Sequence, residues 1–210
     1  KAYVPYAATV EAMIIYATLD GKTQGFIVPK GAAGLTVGEE REKLMSLNAL
    51  PLYRVKLENV KVPAANRLGG EAGHDIQPVL AAGRVALAAL AVGVAKAAFE
   101  YSRDYAKERE AFGVKIAQKQ AIAFMLAEMA TEIEAIRVLN WEAAWMLDSG
   151  KEDAFKQAYL AYTGAVDMAM TVTARAVQIL GGHGYIREHP VEMWMRNGRG
   201  FATFTGLAIV

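Results

Sequence analysis

The sequence contains no cysteine, and this absence removes several kinds of chemistry at once. Disulfide bonds and thiolate nucleophiles are excluded, and so is any zinc site built on cysteine ligands. A chain without disulfides fits a reducing compartment, so we expect a cytoplasmic protein, or one in an organelle matrix if the source is a eukaryote. The sequence also lacks a nucleotide-binding P-loop, an HExxH zinc motif and the spacing of a Ser-His-Asp hydrolase.

An excess of either charge is missing as well. Lys and Arg together number 23, and Asp and Glu number 22, which leaves a net charge of +1 at pH 7. A balanced chain has no electrostatic footprint for nucleic acid or for an anionic membrane surface, so we expect neither partner. Hydrophobic residues make up 54% of the chain, and this content supports a substantial core.

One apolar segment, residues 80–99, is about as long as a membrane span. Most of it is alanine, it carries Arg84 and Lys96, and the same period continues through charged sequence. These features favour a core helix that packs closely through small side chains. We therefore expect no stable insertion into a membrane.

Residues 1–68 have the pattern of a partial antiparallel β domain. Two apolar runs, Met13–Leu19 and Thr23–Pro29, flank Asp20-Gly21, which is a strong hairpin signal. Apolar and polar residues alternate over Tyr53–Leu57, as in a strand with one wet face. So small a sheet has open edges, and the chain begins without Met and ends on apolar residues, so we expect a fragment with partner strands elsewhere.

From Asp75 the hydrophobic period becomes helical, after a glycine-rich segment, 69–75, that predicts a hinge. Asp75 is a candidate N-cap, and Pro78 is tolerated in the first turn. Three stripes with steps of three and four residues predict long helices that begin near residues 75, 122 and 152, and Pro190–Gly198 predicts a short fourth. The fold class is therefore α+β, with residues 76–210 forming an up-down bundle.

The stretch 176–190 reads AVQILGGHGYIREHP and places three glycines within four positions at the end of a predicted helix. One glycine is enough for a left-handed helix stop. Three leave bare backbone where a flat or phosphorylated ligand can approach, with Gln178 and His183 beside it. A plain helix cap followed by a loop is the alternative, and it is the commoner reason for such glycines.

Arg84 interrupts the apolar stripe of the first long helix. A buried guanidinium needs an anionic or hydrogen-bonding partner, so Arg84 is a candidate ligand-facing residue at the base of a pocket. An arginine that extends to the rim of the helix bundle is the alternative.

Five ordered segments resemble the acyl-CoA dehydrogenase family: KEREAFGVKI, QAIAFMLAEMATEIEAIR, AAWMLDSG, AVQILGGHGYIREHPVE and MRNGRGFATFTG. Their order and spacing match across nearly all of residues 75–206. The segments GFIVPKGAAGL and VKVPAANRLGG are similar to the later part of that family's middle β domain. The resemblance implies a chain that covers about half of a family member and lacks its last helix.

The resemblance also implies a flavoprotein that binds FAD, takes a proton from the α carbon of an acyl-CoA and passes the β hydride to the flavin. Electron-transfer flavoprotein is then the expected electron acceptor, and the expected assembly is a homodimer, a homotetramer or a hetero-oligomer. The positions that the family motifs assign to FAD are Arg109, Phe112, Gln178, Gly182, Tyr3 and Val4. Those assigned to the substrate are Arg84 and Gly206.

Three departures from the family pattern bear on activity. Thr205 stands where the family has its usual Glu base, and a threonine cannot act as a general base near neutral pH. Gly83 stands at the alternative base position of a family subset. Leu207 and Ile209 replace polar positions that help to hold FAD, and Pro5 replaces a threonine donor beside the flavin.

Two interpretations therefore stay open. In the first, the protein is an active dehydrogenase whose base comes from outside these motifs. In the second, it is a non-catalytic or structural subunit of a hetero-oligomeric acyl-CoA dehydrogenase.

Overall fold

A computed structural model of the chain describes residues 1–203. The chain divides into two compact units, one running from Lys1 to Leu80 and the other beginning at Ala81. The division lies inside the first long helix. The interpretation of residues 69–75 as a hinge stays a prediction.

The first unit contains six short strands that pair in antiparallel ladders. They are β1 Val4–Pro5, β2 Ala12–Leu19, β3 Lys22–Pro29, β4 Leu35–Val37, β5 Leu52–Tyr53 and β6 Val55–Leu57. The pairs are β2 with β3, β1 with β5, and β4 with β6. The predicted antiparallel β structure is confirmed.

The hairpin between β2 and β3 turns at Asp20 and Gly21, as the sequence predicted. Both residues have positive φ, 50° and 75°, and Leu19 pairs directly with Lys22. Positive φ at both central residues is the requirement of a tight two-residue hairpin turn, and Asp-Gly meets it with little strain.

The single strand predicted over Tyr53–Leu57 was wrong, because the chain changes partners at Arg54. β5 pairs with β1, whereas β6 pairs with β4. The backbone carbonyl of Arg54 accepts a hydrogen bond from the Gly38 N–H, which extends the β4–β6 pairing by one residue and leaves Tyr53 as the last residue paired with β1. The core of this unit is formed by Ala7, Met13, Ile15, Val28 and Val55.

The second unit is helical. Its elements are α1 Gln77–Glu108, which begins in the first unit, α2 Gln120–Asp148, α3 Ala154–Leu180 and α4 Val191–Gly200. A carboxylate oxygen of Asp75 accepts a hydrogen bond from the Gln77 N–H at 2.9 Å, which confirms the predicted cap. The predicted helical bundle and the short fourth helix are confirmed.

Small side chains let the helices approach closely. α1 and α3 meet through alanines, among them Ala88, Ala91 and Ala165, which are at most 1% exposed. By length and composition alone α1 can cross a membrane, but the core helix of a soluble protein has the same character. Its alanine stripe packs here against α3, and the expected absence of membrane insertion stays a prediction.

One element between α1 and α2 was not predicted from periodicity. β7 Glu110–Ala111 and β8 Val114–Lys115 form a four-residue ladder around the turn Phe112-Gly113. Two residues per strand are too few to show an alternating pattern of apolar and polar residues. Gly113 was therefore the only local sign of a turn in the sequence.

Candidate functional site

The turn of the β7–β8 hairpin holds an aromatic side chain in an unusual backbone conformation. Phe112 has φ 56° and Gly113 has φ 78°. A positive φ is easy for glycine but strained for a bulky residue. The Phe112 ring is 94% exposed, so nothing within the described chain repays that strain by burying it. An exposed, strained aromatic residue of this kind is typical of a ligand or partner contact.

Ion pairing stiffens the base of this hairpin. The Lys115 ammonium lies 2.8 Å from Oε1 of Glu110 and also donates to the Glu108 carbonyl at 2.9 Å. The hydrogen bond from Lys115, with its charge, lowers the pKa of the Glu110 carboxyl below its usual range. Arg109 begins the hairpin, with its carbonyl accepting from the Ile116 N–H at 2.9 Å.

The three glycines that follow α3 have two different structural roles. Gly181, with φ 56°, and Gly182 are exposed, and a Cβ added at either would meet nothing within 4 Å. Gly184 is buried, and a Cβ there would lie 2.4 Å from the Val177 carbonyl oxygen. The prediction of bare, approachable backbone is therefore right for two glycines, and the third allows close packing.

The hairpin base and the glycine turn line the same cavity, of about 340 Å³. It is bounded by Tyr105, Arg109, Ala111, Ile116, Ile179, Leu180, Gly181, Gly182 and His183. Arg109 and Gly182, assigned to a cofactor from separate motifs 73 residues apart, are thus brought together. Gln178 is exposed on the last turn of α3 and does not line this cavity, although its carbonyl accepts the Gly181 N–H.

Two histidines and two tyrosines pack beside this cavity. The Tyr105 hydroxyl lies 2.8 Å from Nδ1 of His183, and the Tyr101 hydroxyl lies 2.7 Å from Nδ1 of His189. The two imidazole rings stack, with centroids 5.3 Å apart. Sequence reasoning missed this cluster, since the tyrosines read as ordinary members of the apolar stripe of α1. Their spacing of four residues, opposite two histidines, is the signal that was available.

Arg84 lies elsewhere in the helical unit, between α1 and α3. Its guanidinium carbon is 5.0 Å from the centroid of the Tyr159 ring, which is a cation–π distance. Its Nε is buried without an acceptor, and Arg84 forms no ion pair within residues 1–203. The side chain as a whole is half-buried, so both interpretations of Arg84, as a ligand-facing residue and as an arginine that extends to the rim, stay predictions.

Tyr162 lies one turn after Tyr159 on α3. Its hydroxyl donates a hydrogen bond to the Phe201 carbonyl at 2.8 Å. Burial raises the pKa of this phenol, and the nearby Arg84 charge opposes that effect. Arg84, Tyr159 and Tyr162 therefore form a local cluster, which we call the Arg84 corner.

The remaining predicted site residues lie in the first unit or outside residues 1–203. Val4 pairs with Tyr53 in β1 and lines an apolar cavity of about 330 Å³ in the first unit. Tyr3 has a positive φ of 56°. Thr205 and Gly206 lie outside the described residues.

Comparisons with known proteins agree with these features. The family model for the acyl-CoA dehydrogenase C-terminal domain matches residues 74–208. Subunit CarC of the caffeyl-CoA reductase-Etf complex of Acetobacterium woodii is 38% identical, over 100% of this chain and 57% of its own. The mitochondrial short-chain specific acyl-CoA dehydrogenase of Sus scrofa is 35% identical, over 95% of this chain and 50% of its own.

Solved structures give the same result. Butyryl-CoA dehydrogenase from Megasphaera elsdenii has a TM-score of 0.85 and 33% identity, covering 99% of this chain and 56% of its own. A chain from a structure of the electron transferring flavoprotein of Acidaminococcus fermentans has a TM-score of 0.86 and 32% identity. The match covers 99% of this chain and 56% of that chain. The chain spans about half the length of the curated relatives it matches. Since the family model covers well over half of the sequence, the chain belongs to the acyl-CoA dehydrogenase family.

Proposed function

We propose that this protein is a flavin-dependent oxidoreductase that carries out α,β-dehydrogenation of an acyl-CoA thioester. The observation that carries the proposal is the cavity where Arg109 meets the open backbone of Gly181 and Gly182. A cation beside uncrowded backbone suits a phosphorylated, planar ligand better than it suits a plain helix cap.

The family implies FAD, and three features of the described residues fit a dinucleotide. Arg109 has the planar, multidentate donor set that a pyrophosphate prefers. Gly181 and Gly182 leave room for a ligand to lie against the main chain. The exposed Phe112 ring offers a stacking surface. FAD, when bound, supplies the acceptor for the substrate hydride; the residues named here bind and orient it.

The substrate side of the proposal rests on Arg84. Its guanidinium forms no ion pair within residues 1–203, so that charge is available to an acyl-CoA oxygen. Thr205 lacks the carboxylate of the usual Glu but keeps a backbone N–H. We propose this N–H as the second hydrogen-bond donor to the thioester carbonyl. Two such donors polarise the carbonyl and make the α proton more acidic.

A second candidate is a family member without its own base, acting as a non-catalytic subunit of a hetero-oligomer. The observation in its favour is that neither Thr205 nor Gly83 carries a carboxylate. In addition, no carboxylate forms an ion pair with Arg84 within residues 1–203. A protein of this kind binds acyl-CoA but transfers the α proton slowly.

We also propose an oligomeric assembly and electron-transfer flavoprotein as partner. Large apolar side chains on α2 are more than half exposed, namely Phe124, Val138, Trp141 and Trp145. Exposed apolar surface of this extent is typical of an interface. The name of the Acetobacterium woodii relative, a reductase-Etf complex subunit, supports the flavoprotein partner.

The test is anaerobic flavin reduction by the protein expressed from its whole gene. The purified protein should show a flavin absorption spectrum, which butyryl-CoA or caffeyl-CoA should alter on binding. Bleaching by butyryl-CoA, the saturated probe that can give up the hydride, at rates typical of dehydrogenases supports the enzyme. Binding of butyryl-CoA without bleaching supports the non-catalytic subunit, and caffeyl-CoA, which is already unsaturated, serves as a binding probe only. A protein that holds no flavin and binds no acyl-CoA contradicts both candidates.

A further inference from the structure

The Arg84 corner contains a contact that the family motifs do not assign. The Arg84 guanidinium lies over the Tyr159 ring at 5.0 Å, and the ring is 51% exposed. Neither residue gains its position from an ion pair within residues 1–203, so the ring face is the main electrostatic partner of the guanidinium there.

Orientation is what this contact controls. An arginine side chain has several rotatable bonds. If the ligand has to fix them in one geometry, the lost conformational entropy weakens binding. A guanidinium already held over a ring has fewer orientations available to it. Its Nε–H is buried without a protein acceptor within residues 1–203, so no hydrogen bond from that atom fixes the orientation there, and the ring contact does so.

The neighbouring Tyr162 has a different role, which makes Tyr159 distinctive. The Tyr162 hydroxyl is used by the Phe201 carbonyl, at 2.8 Å. Tyr159 forms no such tie in the described chain, and half of its ring faces away from the protein.

We infer that Tyr159 is a positioning residue that holds the Arg84 guanidinium in the geometry required to bind an acyl-CoA. The inference rests on the proposed function, since it names the part of the acyl-CoA site that Tyr159 sets up. Tyr159 itself touches Arg84, and it acts on the ligand through that side chain.

The experiment compares binding of butyryl-CoA and caffeyl-CoA by the wild-type protein and three variants. Tyr159→Phe keeps the ring, whereas Tyr159→Leu keeps an apolar cover over the arginine stem and removes the ring quadrupole. Phe155→Leu removes another partly exposed ring of α3, one turn earlier, and is the matched control. Tyr159→Met replaces Tyr159→Leu if the latter folds poorly.

We expect Tyr159→Leu to raise the dissociation constant about 2- to 5-fold, while Tyr159→Phe and Phe155→Leu bind as the wild type does. In an Arg84→Leu background, Tyr159→Leu should have no further effect, because the residue acts only through the arginine. A structural role would instead persist in that background.

Three results overturn the inference while the proposed function stands: wild-type binding by Tyr159→Leu, equal losses in Tyr159→Phe and Tyr159→Leu, or an undiminished effect in the Arg84→Leu background. If the wild-type protein binds neither acyl-CoA, the proposed function fails and the inference fails with it.

Discussion

The Tyr162 hydroxyl donates a 2.8 Å hydrogen bond to the Phe201 carbonyl and so joins the middle of α3 to the turn that follows α4. The two residues are 39 positions apart, and Tyr162 is only 6% exposed. The backbone at Phe201, four residues before Thr205 in the sequence, is therefore held by a buried phenol.

Removing that hydroxyl is the first test. Tyr162→Phe leaves the Phe201 carbonyl without this donor, and we expect a loss of about 1–3 kcal/mol in the free energy of unfolding. Urea denaturation measures it. Tyr185→Phe is the control, because the Tyr185 side chain is 87% exposed, and it should change stability by less than about 0.5 kcal/mol. An equal loss in both variants would show that the buried bond contributes nothing specific.

Because of the buried Tyr162 phenol, we expect the free energy of unfolding to depend on pH in the alkaline range. Burial raises the pKa of Tyr162 in the folded protein above the ordinary value of 10.0, so the folded state favours the neutral phenol. The stabilisation is fully present below the unfolded pKa and is lost as the pH rises through the folded pKa. Unfolding free energies measured from pH 8 to pH 11 should fall more steeply for the wild type than for Tyr162→Phe. Parallel curves for the two proteins would contradict the assignment.

At acid pH, we expect the Glu192 carboxyl on α4 to change the free energy of unfolding. Arg196 donates to both carboxylate oxygens of Glu192, at 2.7 and 3.1 Å, and lowers the pKa of Glu192. This stabilisation is present above the unfolded pKa of about 4.3 and is lost as the pH falls through the folded pKa. We expect Glu192→Gln to cost about 0.3–1 kcal/mol at pH 7 and to match the wild type near pH 3. Glu40→Gln, an exposed residue without an ion pair in residues 1–203, is the control and should change stability at pH 7 by less than about 0.5 kcal/mol.

The hairpin turn offers a case in which stability and binding should move in opposite directions. Phe112→Gly relieves a positive φ that is strained for phenylalanine, so the free energy of unfolding should rise, by up to about 1 kcal/mol. The loss of the exposed ring should lower flavin retention during gel filtration of the protein from the whole gene. Gly113→Ala is the complementary control, since it adds strain at φ 78° but keeps the ring. Lower stability in Phe112→Gly, with unchanged flavin content, would mean that the ring serves the fold alone.

Features with a local sequence signal could be predicted from this sequence, whereas features that depend on distant residues could not. Periodicity gave the long helices, and Asp20-Gly21 gave its hairpin, because these signals depend on residues close together in the chain. The exchange of strand partners at Arg54 depends on distant strands, so local alternation gave one strand where there are two. Sequence also placed Arg109 and Gly182 at a site, through family motifs. The stacked His183 and His189 and the Arg84–Tyr159 contact required the packing of separate helices to become visible.

The final prediction separates the roles of the glycines after α3. Gly182→Ala adds a methyl group to open space, so the fold should tolerate it with less than about 0.5 kcal/mol of change. Gly184→Ala places a Cβ 2.4 Å from the Val177 carbonyl oxygen, where backbone must move, so we expect a loss of about 1–3 kcal/mol. Gly182 lines the cavity with Arg109, so its methyl group should also reduce FAD affinity.

Reconstitution of apoprotein with FAD, followed by absorption and fluorescence, measures that second effect beside urea denaturation. Gly182→Ala should bind FAD more weakly at unchanged stability, whereas Gly184→Ala should lose stability first, and its flavin loss should follow its unfolding. Gly150→Ala serves as the control, because Gly150 ends α2 at a positive φ of 60° and lies outside this cavity. It should lower stability without changing FAD affinity in the protein that remains folded. Full FAD affinity in Gly182→Ala would show that the glycine turn only caps α3, and the dinucleotide would then have to be placed elsewhere.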